Sequence, residues 1–84
     1  MDPVPEEFNK LKIEERLRIT FEEGVEVMSR IYLYYTVKLY RIGNMFAEVW
    51  YRPHHNRIDR VEAVNLDEVL HLYEKEIDIS DLFK

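Results

Sequence analysis

Cysteine is absent from the 84 residues, which excludes disulfides, thiolate zinc sites and cysteine nucleophiles together. Glycine occurs twice and proline three times, and Gly24 and Gly43 stand too far apart to form a phosphate-cradling loop. No apolar run approaches the ~20 residues of a membrane span. The stretch Met1 to Glu7 is acidic rather than basic, and no apolar run of signal-peptide length follows it. The chain therefore reads as cytoplasmic and soluble, with no membrane partner. At well under ~150 residues it reads as a single domain, 1–84, with residues 1–5 flexible. A chain this short hides only about 60–65% of its unfolded surface, which argues against a large enclosed active site.

What is present is unevenly spread. The net charge is -5, but the segment from Arg30 to Arg60 carries six basic residues against only Glu48 and Asp59, and it holds seven of the eleven aromatics. A basic, aromatic centre is flanked by acidic ends.

The pattern predicts an α+β fold, an antiparallel meander of three or four strands with an N-terminal and a C-terminal helix in the order α-β-β-β-(β)-α. Pro5 suits a first helical turn, with Glu6 and Glu7 at the positive end of the helix dipole, and Gly24 is the stop. Ile13, Leu17 and Phe21 mark one side of this helix, while Phe8, Leu11 and Ile19 fall on another. Two apolar sides imply two contacts, one with the sheet and one with a partner chain, unless the helix frays before Lys12. Val25 to Ile42 is β-branched and aromatic but too long for one strand, so a bend, bulge or hairpin is expected near Arg30 to Tyr34. Gly43-Asn44 and Pro53-His54-His55-Asn56 are turns, bounding strands Met45 to Arg52 and Arg57 to Val64. Ile58 falls out of phase with Val61 and Ala63, which predicts a bulge or an edge position. Asn65 and Glu68 have capping-box spacing ahead of the stripe Leu66, Val69, Leu70, Tyr73 and Ile77, and the tail Ile79 to Phe83 is apolar enough to dock.

A three-residue loop Ile42-Gly43-Asn44 would set Leu39 against Ala47, Val37 against Val49 and Tyr35 against Tyr51, a uniformly apolar side. The other side would then pair Lys38 with Glu48, Tyr40 with Phe46, Thr36 with Trp50 and Tyr34 with Arg52. A two-residue Gly43-Asn44 turn would instead put Leu39 opposite Glu48 and Val37 opposite Trp50. The first register is expected, because it separates the faces and joins opposite charges.

The run Leu39-Tyr40-x-Ile42-Gly43-x-x-Phe46-x-Glu48-Val49-Trp50-Tyr51, followed by Asn56-Arg57-Ile58 and, after a short helix, by Ile77-Asp78-Ile79-Ser80, resembles a group of short uncharacterised bacterial proteins. The likeness spans Gly24 to Leu82, and Glu48-Val49-Trp50-Tyr51 is its most specific piece. Members carry a more apolar first strand where this chain has Gly24-Val25-Glu26-Val27-Met28, and a turn follows it, which implies four strands. The resemblance implies no function.

Chemistry-bearing residues are few. His54 and His55 could titrate near neutrality, but adjacent side chains in a turn diverge and no third ligand stands nearby, so they read as exposed turn residues. His71 lies off the helix stripe. Glu48 beside Trp50 could be a general base if desolvated, yet Lys38 explains it as a cross-strand partner. Ser29 and Ser80 lie in no nucleophile-elbow pattern. No metal, cofactor or catalytic residue is expected. The remaining candidate is an interaction face of Tyr34, Lys38, Tyr40, Phe46, Glu48, Trp50 and Arg52 on one open side of the sheet, rich in the residue types that dominate interfaces; the alternative is that the helices cover this side as core. The leading expectation is a non-enzymatic protein-interaction module, self-associating as a homodimer or binding another protein. The alternative is a single-stranded nucleic-acid binder that stacks bases on the same aromatics, against which the acidic helices and net charge weigh.

Overall fold

A computed structural model describes residues 4–74, with an α+β architecture. Helices α1 (Pro5–Lys10) and α2 (Ile13–Glu23) precede four strands of eight residues, β1 (Val25–Tyr32), β2 (Tyr35–Ile42), β3 (Met45–Arg52) and β4 (Arg57–Val64). A 3-10 turn, Pro53–His55, joins β3 to β4, and α3 (Leu66–Glu74) follows. The strands form one antiparallel sheet in the order β1-β2-β3-β4. The expected docking of Ile79 to Phe83 and the stripe position Ile77 lie outside the described residues.

The expected single N-terminal helix is broken. Leu11 and Lys12 are extended, with ψ of 159° and 153°, and the Arg16 Nε donates to the Leu11 carbonyl at 3.0 Å, satisfying one helix-end acceptor. The break turns α1 so that Phe8 is buried in the same cluster that Ile13, Leu17 and Ile19 pack against, with Ile42, Met45, Ala47, Val49 and Val61 beneath them. Phe8, Ile13, Leu17 and Ile19, drawn from both predicted apolar sides, thus share one inward surface, while Leu11 and Phe21 stay exposed. The Asn9 side chain accepts the Ala63 N–H at 2.8 Å, and the Arg16 guanidinium donates to the Val61 carbonyl, tying both helices to β4.

The β2–β3 register is the one set by the two-residue turn. Leu39 stands opposite Glu48, Val37 opposite Trp50 and Ile42 opposite Met45. Gly43, at φ 60°, takes the first of the two turn positions, which glycine fills at little steric cost. The expectation of a three-residue loop assumed that only one side of the sheet needs apolar residues. Here both sides are covered. Ala47 and Val49 face α1 and α2, while Val37 and Leu39, both buried, lie on the opposite side with Glu48, which α3 reaches through Tyr73.

Two bulges complete the sheet. Val27 is the extra residue of β1 and Asp59 that of β4, and the second accounts for the phase of Ile58. Gly24 ends α2, and a Cβ there would run into the Thr20 carbonyl oxygen. Asn65 caps α3, its Oδ1 accepting the Asp67 N–H at 2.9 Å. From there α3 crosses back to contact β1.

Candidate interaction surface

The seven residues expected to share one face are divided by the observed register. Lys38 and Tyr40 lie on the side of α1 and α2, where the Lys38 Nζ pairs with Glu26 at 3.1 Å and the Tyr40 ring meets Phe21 edge-on at 5.8 Å. Burial raises the Tyr40 hydroxyl pKa, and the hydrogen bond to Glu26 raises that of Lys38. Phe46, Glu48, Trp50 and Arg52 lie on the other side. Tyr34 belongs to neither, because it sits in the β1–β2 turn.

The expected Lys38–Glu48 pair is replaced by a buried network. Glu48 Oε2 accepts hydrogen bonds from Arg30 at 3.2 Å and from the Tyr73 hydroxyl at 2.7 Å, with all three residues buried. The Arg30 guanidinium stands 5.2 Å from the Trp50 ring and 5.3 Å from that of Tyr73, within cation–π range of both. Burial, then the bond to Glu48, pushes the Tyr73 hydroxyl well above the ordinary tyrosine range. Trp50 also meets Tyr32 and Tyr35 edge-on at 5.8 and 5.2 Å, and the Arg60 guanidinium at 5.3 Å. Arg52 pairs with Asp59 at 2.9 Å and donates to the Tyr35 hydroxyl at 2.8 Å. Hydrogen bonds from Arg57 and Tyr35 hold the Asp59 carboxyl below the usual range. This side of the sheet is an interlocked layer that fastens α3, not an open aromatic patch.

The open surface lies instead along the β1 edge. Ile31, Leu33 and Tyr34 are 70%, 72% and 73% exposed, and Val25 and Val27 are about half exposed. Ile31, Leu33 and Tyr34 line a shallow depression with Pro53 and His54. Leu33 also has a φ of 54° at the first position of its two-residue turn, a left-handed conformation that glycine or asparagine adopts more cheaply. Outliers of this kind concentrate at functional positions.

The two edges of the sheet contrast. Along β4, Arg57 pairs with Asp59 and Arg60 with Glu62, the kind of charged edge that discourages strand pairing. On β1 Arg30 is buried against Glu48 and the exposed Glu26 pairs across the sheet with Lys38, so the other exposed side chains of the strand are mostly apolar. The alternation Val25-x-Val27-x-Ser29-x-Ile31-x-Leu33 suggests a single apolar side, but the Val27 bulge puts Val25 and Ile31 on opposite sides of the sheet and Leu33 lies in the turn.

His54 and His55 occupy the exposed 3-10 turn and His71 an exposed position on α3. Among the described residues no group of three or more metal-ligating side chains comes together, and no helix is long and apolar enough to cross a membrane. No protein-family model, no curated protein and no solved structure matches the chain.

Proposed function

We propose that the chain is a non-enzymatic protein-interaction module that self-associates through the open edge of β1 and the Leu33–Tyr34 turn. The carrying observation is that Val25, Val27 and Ile31 of β1 and Leu33 and Tyr34 of its turn are exposed, on a strand whose outer edge pairs with no other strand among the described residues. Together these residues expose on the order of 600 Å², distributed over both sides of the sheet edge. A cytoplasmic setting suits a cysteine-free module of this kind. Protein is favoured over single-stranded nucleic acid because Tyr40 and Trp50 lie on opposite sides of the sheet, whereas base stacking needs a row of rings along one groove.

The test is Ile31→Lys. Ile31 is exposed, so the substitution should change monomer stability by no more than about 0.5 kcal/mol, while a lysine on the rim should abolish association. Unchanged association of a folded Ile31→Lys protein would remove β1 as the binding surface.

A further inference from the structure

Resting on that reading, we propose its geometry: two copies pair antiparallel, β1 against β1, about a two-fold axis at Ser29, giving a continuous eight-stranded sheet. Three observations converge on the second copy as occupant and on this register.

The first is self-complementarity. In a two-fold antiparallel pair each residue meets the one an equal distance beyond the axis. Val27 and Ile31, both exposed, stand two residues either side of Ser29, which is itself exposed. Val27 of one copy therefore meets Ile31 of the other and Ser29 meets Ser29, while the Val27 bulge turns Val25 to the other side of the sheet from Ile31. Moving the axis to Ile31 or to Val27 leaves half of the row uncovered, and moving it to Arg30 sets two arginines opposite each other.

The second is the phase of the backbone. The two-residue turn closes on the Tyr32 and Tyr35 pair, so the N–H and C=O groups of Tyr32 and Arg30 are spent on β2. Those of Ile31 and Ser29 point to the free edge. Ser29 against Ser29 is then a pair that exchanges both hydrogen bonds. The bulge at Val27 marks the point where the ladder gives way to side-chain contact.

The third is charge and area. The Ser29 axis places Arg30 opposite Met28, so no like charges meet between the bulge and the turn. Val27, Ile31 and Leu33 offer on the order of 300 Å² per copy before backbone contacts are added, the scale of a small interface. The β4 edge, lined by its own ion pairs, offers no such surface.

The absence of cysteine makes the experiment clean. Ser29→Cys places a thiol at the axis, where directly opposed residues lie within the Cα separation a disulfide accepts. Under mild oxidation at a concentration where the protein is dimeric, the Ser29→Cys chain should form a covalent dimer at least about tenfold faster than Arg57→Cys on the far edge, owing to the high effective concentration across the axis. Light scattering on the unmodified protein keeps the two levels of the account separate. A dimer in which Ser29→Cys links no faster than Arg57→Cys overturns the register and leaves the interaction reading standing. A protein that is monomeric throughout overturns both.

Discussion

Leu33→Gly separates the strain in the β1–β2 turn from the surface that the turn presents. Leu33 sits at φ 54° and is 72% exposed, so the monomer bears a left-handed leucine and gains little burial from it. Relief of that conformation is worth about 1–2 kcal/mol, and the extra freedom of glycine in the unfolded chain takes back about 0.5–1. The monomer should therefore gain about 0.5–1 kcal/mol, a rise of a few degrees in Tm for a domain of this size. Association should move the other way. A two-fold interface loses two leucines, and even ~1 kcal/mol for each weakens the dimer about thirtyfold. Thermal and denaturant unfolding at concentrations low enough for the monomer give the first quantity, and light scattering across a concentration series gives the second. A variant less stable as a monomer, or one that associates as tightly as the parent, would refute the reasoning that joins strain to function at this turn.

Other consequences follow from the interior. Glu48→Ala leaves the buried Arg30 without its carboxylate and should cost about 3–5 kcal/mol by denaturant unfolding, whereas Tyr73→Phe removes one hydrogen bond to that carboxylate and should cost about 1.5–3; equal effects would contradict a network centred on Glu48. Because the Tyr73 hydroxyl is raised in the folded state, its stabilisation is complete below its usual value near 10 and is lost as pH rises beyond it. Alkaline unfolding followed by tyrosinate absorbance and circular dichroism should therefore be shallower in Tyr73→Phe. Asp59 is shifted the other way, so its contribution is present above the unfolded carboxylate value and is lost as pH falls through the lower folded one. Asp59→Asn should flatten the acid limb of a stability profile while leaving the alkaline limb in place.

The elements that rest on local chemistry were legible in the sequence. Gly43-Asn44, Pro53 to Asn56 and Asn65 each mark a boundary through a backbone or capping requirement that the residue type reveals, and the bulge near Ile58 follows from its broken phase. Two boundaries carry no such mark. Leu11 and Lys12 break the N-terminal helix and Leu33-Tyr34 turn the chain without turn residues, because tertiary packing of Phe8 decides the first and the second is a strained turn. The register failed for a different reason. Residue type alone favours the register that collects apolar residues on one side, and a sheet covered on both sides by α1, α2 and α3 has no such side. Glu48 inherited that error, since its true partners Arg30 and Tyr73 are neighbours only in the other register. The candidate face dissolves with it, and the exposed residues of β1 are not legible because alternation reveals neither a bulge that switches sides at Val27 nor whether anything lies over a side.

Self-association through β1 is the central claim, and the native mass in solution tests it most directly. Light scattering after gel filtration, at two concentrations and two salt strengths, should give about twice the 10.3 kDa chain mass for the parent protein. The dimer should resist salt, because apolar contacts and backbone hydrogen bonds hold it rather than exposed charges. Ile31→Lys should return the single-chain mass under every condition. A parent protein that stays at the single-chain mass throughout, or an Ile31→Lys protein that remains dimeric, would contradict the account.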